Sequence, residues 1–507
     1  MRRRPGAAGH GCAAHCVAGG RGKPGATGYH APMRNRAPLL TCLAAAVTAL
    51  ASGAAFAAAR TASAFDGAQL SLWWGAPFAG LLLSIALVPL FSAKFWHDHY
   101  GKFAAGWAAA LLVPFAVLQG PGEAWHHAVH ALLREYIPFV VVLFALYTVA
   151  GGICIHGHVA GTPLRNTALL ALGAALASVM GTTGASMLLI RPLLAGNEGR
   201  THRVHAVIFF ILLVGNVGGA LSPLGDPPLF IGYLKGVDFF WTTRALLAPT
   251  VGLCAVLLAA FLALDWYLIR REPPAAEAEV ARGPFRIEGA ANFALLAGIV
   301  GAVLMSGMWK SGIAFDVFGT DVDLEGIVRE ALLIALALAS LALTPRAVRE
   351  HNVFHWGPII EVAKIFAGIF LTIIPVIAML QAGRNGALAP VVALLQGPDG
   401  VPSNVAVFWA TGFLSAFLDN APTYLVFFNL SGGSAQALMG PLAGTLTAIS
   451  MGAVYFGALT YIGNAPNFMI KAIAEDRGLA MPSFFAYFAY ACALLVPLLA
   501  VVAHVML

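Results

Sequence analysis

Long apolar runs separated by short polar breaks dominate the chain. Runs over residues 73–91, 103–118 and 137–155 are each about long enough for a hydrocarbon layer of roughly 30 Å, and predict three membrane spans. Residues 166–194 read differently: two apolar arms flank Gly181-Thr182-Thr183-Gly184-Ala185-Ser186, neither reaching a full span, with Arg165, Arg200 and Arg203 at the ends. That pattern predicts a re-entrant hairpin. The next run, 204–235, is interrupted by Ser222-Pro223-Leu224-Gly225-Asp226-Pro227-Pro228. Its prolines remove backbone donors, and such broken backbone survives at membrane depth only inside protein or beside a wet cavity. A further span, 245–269, closes this half. After a polar stretch at 270–289 the order recurs: spans at 292–308, 330–344 and 359–381, a hairpin at 404–430, a broken span at 442–474 and a last span at 484–505. The expectation is an all-α polytopic membrane protein with about ten transmembrane helices and two re-entrant hairpins.

The halves echo one another. Gly219-Ala220-Leu221-Ser222-Pro223-Leu224-Gly225-Asp226-Pro227-Pro228 aligns with Gly457-Ala458-Leu459-Thr460-Tyr461-Ile462-Gly463-Asn464-Ala465-Pro466, and Ser178–Ser186 aligns with Ser415–Thr423. Matching interruptions in two halves are a pointer to a transporter's binding site. Five crossings between the hairpins bring the second in from the opposite face, so residues 73–269 and 290–507 are expected to form an inverted repeat joined by a cytoplasmic linker at 270–289.

Composition fixes the class. Of 507 residues, 59% are hydrophobic and only 10% charged, against about 25% charged in soluble proteins. The net charge of +6 is scattered at span ends with no basic stripe, which argues for orientation in a bilayer and against nucleic acid. One set of loops holds Lys94, Lys102, Arg165, Arg200, Arg203, Arg270, Arg271, Arg282, Arg286, Arg346, Arg349, Lys471 and Arg477. The opposite set holds little beyond Arg134, Lys235 and Arg384, and clusters Asp316, Asp321, Asp323 and Glu325. The mature termini are therefore expected outside a bacterial inner membrane. Residues 1–32 read as a disordered leader or an over-extended start. Residues 33–57, with a basic Met33-Arg34-Asn35-Arg36, an apolar run and Ala55-Phe56-Ala57, read as a signal peptide, with an uncleaved first helix as the alternative. Cys12 and Cys16 with His10 and His15 read as leader composition rather than a metal site; Cys42, Cys154, Cys254 and Cys492 read as small apolar residues.

Hairpin tips and helix breaks expose carbonyls, amides and half-helix ends. A hard cation takes oxygen ligands of this kind, and two carboxylates at bilayer depth can hold either a cation or a proton. The candidates are Thr182, Thr183, Ser186 and Asp226 in one half, and Asp419, Asn420, Thr423, Asn464 and Asn467 in the other. Simple capping of helix ends is the competing reading for Asn420 and Asn464, and a capped buried acid that for the two aspartates. Glu361 and Lys364 share a helix face and read as a local ion pair or an accessory to the cation path; Asn216 is a second accessory candidate. His97-Asp98-His99 reads as a solvated loop and His205 as interfacial.

Gly181-Thr182-Thr183-Gly184-Ala185-Ser186, Asn216-Val217-Gly218-Gly219, Pro223-Leu224-Gly225-Asp226-Pro227-Pro228, Asp419-Asn420-Ala421-Pro422-Thr423 and Gly463-Asn464-Ala465-Pro466-Asn467 together resemble the ion transporter superfamily. Within it the chain is most similar to the NhaD-type sodium/proton antiporters and their citrate-transporter relatives, from about Trp73 to the C-terminus. The resemblance implies a homodimer whose transport domain moves against a scaffold in an elevator-like cycle, carrying sodium and protons. It implies no cofactor, and no metal beyond the transported sodium. The dicarboxylate branch carries Ser-Asn-Thr at both tips, where this chain has Thr182-Thr183-Gly184 and Asp419-Asn420-Ala421.

A cation-coupled citrate or dicarboxylate transporter is the alternative to an antiporter; a carboxylate substrate would meet Asp226 and Asp419, with no Lys or Arg at either tip. An enzyme is not expected. Leu224-Gly225-Asp226 is similar to part of the Gly-x-Gly-Asp signature of intramembrane aspartyl proteases, but Pro223 occupies the first glycine position and no Tyr-Asp partner precedes it. A receptor or scaffold would not need matched breaks.

Overall fold

A computed structural model describes residues 66–156, 161–272, 286–397 and 401–507. The expected leader, the signal peptide and linker residues 273–285 lie outside them. Among the described residues, nine helices are long and apolar enough to cross a bilayer: Leu72–Phe91, Lys94–Gln119, Pro121–Ala150, Pro163–Met180, Val204–Leu221, Phe239–Ile269, Ala291–Met308, Leu324–Leu343 and Phe484–Met506. The pair Gly357–Thr372 and Ile374–Gln381, bent by 43°, makes a tenth; against expectation, the hairpin arm Pro163–Met180 reaches span length, whereas Ala443–Leu459, in the expected broken span 442–474, falls short of it. The bend falls where Pro375 removes a donor and the Thr372 hydroxyl turns back to donate to Gly368 O at 2.7 Å. The protein is all-α, apart, among the described residues, from two short antiparallel ribbons, Cys154–His156 with Arg286–Glu288 and Ala314–Val317 with Thr320–Asp323.

Of the residues in Val204–Leu221, 83% are buried, against 22–39% in an apolar 18-residue stretch of each of the other long helices. The broken span is therefore the hub, surrounded by protein, and its neighbours show one face outward. Against it pack the first hairpin and Phe239–Ile269. The first hairpin is made of Pro163–Met180 and Thr182–Gly196, and its ends meet: Gly161 N donates to Gly196 O at 2.8 Å, and Asn166 and Asn197 exchange side-chain amide bonds at 3.0 Å each. In the other half, the arm Asn404–Leu418 packs along Ala443–Phe456, and Asn420–Leu430 along Pro227–Leu234.

Several sequence expectations are corrected. His97-Asp98-His99 is helical, because Ser92 caps Phe95 N at 3.3 Å and starts Ala93–Gln119 ten residues before the expected span. The third span starts at Pro121 and absorbs Pro138 with a π turn at Leu132–Tyr136 immediately before it. Glu361 and Lys364 do not pair with each other. Glu361 accepts from Trp96 Nε1 at 3.0 Å and lies 3.9 Å from His97 Nδ1, whereas the Lys364 ammonium sits 5.4 Å above the Tyr100 ring.

His205, in the first turn of Val204–Leu221, reaches Asp265 Oδ1 at 2.9 Å. Arg200, read as a loop cation, is buried between Asp265 at 2.5 Å and Glu272 at 3.4 Å. In the polar stretch after residue 270, Glu272 packs against Arg200 and Arg286–Glu288 is paired backbone.

Candidate functional site

The two hairpin tips turn the same way. Gly181 and Asp419 stand between their arms with φ of 81° and 77°, left-handed backbone that favours glycine. Asp419 meets that demand by a short local bond, its carboxylate accepting from Ala421 N at 3.1 Å. The tips thus correspond as Gly181 with Asp419 and Thr182 with Asn420. This is one residue from the sequence alignment, which set Thr182 against Asp419.

The breaks correspond as well. Ser222 Oγ donates to Ser178 O, and Thr460 Oγ1 donates to Ala416 O; Leu224 N donates to Ser222 Oγ at 3.1 Å, and Ile462 N to Thr460 Oγ1 at 3.2 Å. Each hydroxyl ties a break to the first arm of a hairpin. The chain crosses itself closely here: a Cβ on Gly225 would lie 2.0 Å from Gly219 O, and one on Gly463 2.7 Å from Gly457 O. Glycine is required at Gly225 by that approach alone. Thr182 N donates to Gly225 O at 2.9 Å, fastening the first tip to the first break.

These turns deliver one carboxylate to the centre. Asp226 is 1% exposed and stands at the N-terminus of the half-helix Pro227–Leu234. Thr182 Oγ1 donates to its Oδ1 at 3.2 Å, Asn464 Nδ2 donates to Oδ1 at 3.0 Å, and Asn420 Nδ2 donates to Oδ2 at 2.6 Å. The three donors come from the first tip, the second break and the second tip. Burial penalises the charge, and the donors and the half-helix dipole favour it. Asn420 Oδ1, buried beside this carboxylate, has no protein partner.

A cavity of about 100 Å³ opens beside these residues. The tips and breaks form one wall. Spans Ile137–Ala150 and Gly357–Thr372 form the other, through Leu146, Tyr147, Ile359 and Phe366. No Lys or Arg is among the lining residues.

The expected residues divide accordingly. Thr182, Asp226, Asn420 and Asn464 form one hydrogen-bonded cluster, and Thr183 and Asp419 line the cavity beside it. Asp419 does not bond to Asp226; its carboxylate caps its own helix. Thr423 donates to Asp419 O at 2.8 Å, and the Ser186 hydroxyl is buried without a protein partner. Asn467 donates to Gly457 O at 2.7 Å and Thr460 O at 2.8 Å and accepts from Asn216 at 2.7 Å, a strut between the breaks. Glu361 and Lys364 are not among the lining residues.

Sequence reasoning missed the opposite wall, where Tyr147 and Phe366 carry no signal within apolar spans. It also missed Asp265, fully buried near the end of Phe239–Ile269 and held by Arg200, His205 and Asn166.

Comparison with known proteins places the chain among transport proteins. A family model described as "Putative citrate transport" matches residues 67–507. An uncharacterized transporter of Mycobacterium bovis and one of Mycobacterium tuberculosis are each 27% identical over 328 residues, covering 63% of this chain and 71% of theirs. A 46 kDa membrane protein of Mycobacterium leprae is 26% identical over 322 residues, with the same coverage.

Proposed function

The chain belongs to the family with that description and is a multi-pass membrane transporter, and from this premise we propose that it exchanges sodium for protons, with Asp226 as the shared site. One observation carries the reading: a single buried carboxylate, ringed by uncharged donors from both tips and one break, beside a small cavity without a basic lining residue. Sodium or a proton neutralises that carboxylate, and the two compete for the same oxygens. Competition couples the two fluxes. The unpartnered Asn420 Oδ1 and the carboxylate of the partly buried, cavity-lining Asp419 supply further oxygens near the cavity. Bringing an anion to 4 Å from an ionised Asp226 would cost about 4 kcal/mol at an effective dielectric near 20.

The matching tips and breaks support an inverted repeat, in which the body bearing them moves against the spans of the opposite wall. A homodimer in a bacterial inner membrane, with both mature termini outside, completes the reading. Cation-coupled citrate transport is the second reading, favoured by the family's description; it requires a cation or proton at Asp226 before the anion enters. Flux into proteoliposomes, compared for sodium, lithium, potassium and citrate, separates the two. Sodium-driven proton movement without citrate supports exchange, and citrate uptake with no such movement replaces it.

A further inference from the structure

The two breaks are tied to each other through amides. Asn216, fully buried at the entry to the first break, donates through Nδ2 to Ile211 O at 2.8 Å and to Asn467 Oδ1 at 2.7 Å. Its Oδ1 accepts from Asn464 Nδ2 at 3.2 Å, and the same Nδ2 reaches Asp226 Oδ1 at 3.0 Å. Asn467 in turn donates to Gly457 O and Thr460 O at 2.7 and 2.8 Å.

An asparagine amide has a donating end and an accepting end, so the network decides which way each one faces. Carbonyls only accept. Gly457 O and Thr460 O therefore hold the Asn467 NH₂ and leave its Oδ1 toward Asn216. Ile211 O and that Oδ1 then hold the Asn216 NH₂, leaving the Asn216 oxygen toward Asn464. That oxygen, with Gly215 O at 3.1 Å, turns the Asn464 NH₂ into the centre, where it meets Asp226. Backbone carbonyls at the two helix interruptions thus orient the donor presented to the central carboxylate. Asn216 itself is not among the cavity-lining residues.

We propose that Asn216 is a positioning residue: acting through Asn464, it fixes the hydrogen bond made to Asp226 and so sets how strongly the site holds its cation. The proposal rests on Asp226 as the exchange site. Removing Asn216 takes away one of the two acceptors that turn the Asn464 amide toward the centre, leaving Gly215 O alone to do so, and part of the cost of orienting that donor then falls on cation binding. A lost hydrogen bond of ordinary strength corresponds to about a tenfold change.

The test uses the full chain in proteoliposomes. Half-saturating sodium and the maximal rate of sodium-driven proton movement are measured for the wild type, Asn216→Ala and Asn467→Ala, with thermal melting in detergent as the control for folding. Half-saturating sodium is expected to rise about tenfold in Asn216→Ala with a maximal rate within about threefold of wild type. It should rise about threefold in Asn467→Ala, one step further from the carboxylate. Folded variants whose half-saturation stays within about twofold of wild type overturn the proposal. So does a fall in maximal rate alone. Where Asn216→Ala does not fold, Asn467→Ala decides by the same criterion. A wild type that moves no protons on adding sodium overturns the exchange reading and this inference with it; a wild type that exchanges beside unshifted variants overturns the inference alone.

Discussion

Replacing Asp226 by asparagine separates charge from architecture. The carboxylate accepts three hydrogen bonds, from Thr182, Asn464 and Asn420. In Asp226→Asn, the oxygen retained at the Oδ1 position keeps Thr182 and Asn464 as donors. The new NH₂ falls where Oδ2 was, facing the Asn420 NH₂ at what is now 2.6 Å. That clash resolves by a flip of Asn420, whose Oδ1 has no protein partner and becomes the acceptor. Three bonds therefore survive. What is lost is charge assistance, worth about 1 kcal/mol per bond, and removing a desolvated charge offsets part of it.

The net change in stability for Asp226→Asn should fall within about 2 kcal/mol, a shift of a few degrees in melting temperature. Asp226→Leu instead orphans two buried donors, Thr182 Oγ1 and Asn420 Nδ2, at about 1–3 kcal/mol each, while Asn464 Nδ2 keeps Gly215 O and Asn216 Oδ1, and it should fold poorly. For transport the expectation is the reverse of mild. Without an ionisable group the site cannot alternate between cation and proton, and sodium-driven proton release from acid-loaded vesicles, followed by a pH-sensitive dye, should fall to the level of empty vesicles. Asp226→Asn protein that melts within a few degrees of wild type and still exchanges within about twofold of its rate would refute the reasoning.

Asp419→Asn keeps a side chain that tolerates left-handed backbone and still caps Ala421 N; melting should stay within about 0.5 kcal/mol of wild type while sodium-driven proton movement falls, and unchanged movement would reduce Asp419 to a cap. Asp265→Ala leaves Arg200 with only Glu272 at 3.4 Å as its ion-pair partner and takes the acceptor of His205 and Asn166; it should cost about 1–3 kcal/mol, read as a drop in detergent melting temperature. Glu361→Gln retains an oxygen for Trp96 Nε1, so exchange within about threefold of wild type is expected in the same dye assay. A cysteine placed at Asp321 should react with an impermeant thiol reagent from outside whole cells, and one at Glu198 should not; the reverse result inverts the proposed orientation.

The helices were legible wherever the sequence changed character abruptly. Pro223, Pro227 and Pro228 cannot continue a helix, and Gly181 and Gly184 punctuate an apolar run, so breaks and tips fell within a few residues of their observed places. Less was legible where a residue's role depends on what it faces. Asp419 was set one residue out of register because a left-handed position filled by aspartate does not look like one filled by glycine. Asn467 belongs to the ligand set by type, yet its amide is spent on backbone carbonyls, and amide direction is a property of the network rather than of the residue. Asp265 went unread because Leu264 and Trp266 continue an apolar run around it; only the fold brings Arg200 and His205 to it. The His97-Asp98-His99 cluster looked like a loop because it is polar, but its capping serine governs the backbone.

Asp226 and Asn464 occupy the same point of their two breaks: each precedes a half-helix, with φ and ψ of −142° and 142° in one and −153° and 140° in the other. They also touch, at 3.0 Å. An aspartate at position 464 would place two carboxylates in contact, with a repulsion of about 5–6 kcal/mol if both were ionised, at a dielectric near 20. Two asparagines there would leave no charge at all. A chain with aspartate at both positions would therefore carry two carboxylates in contact at its centre, although every hairpin and break in it were correct. The two breaks share a backbone and differ in charge at the point where they touch.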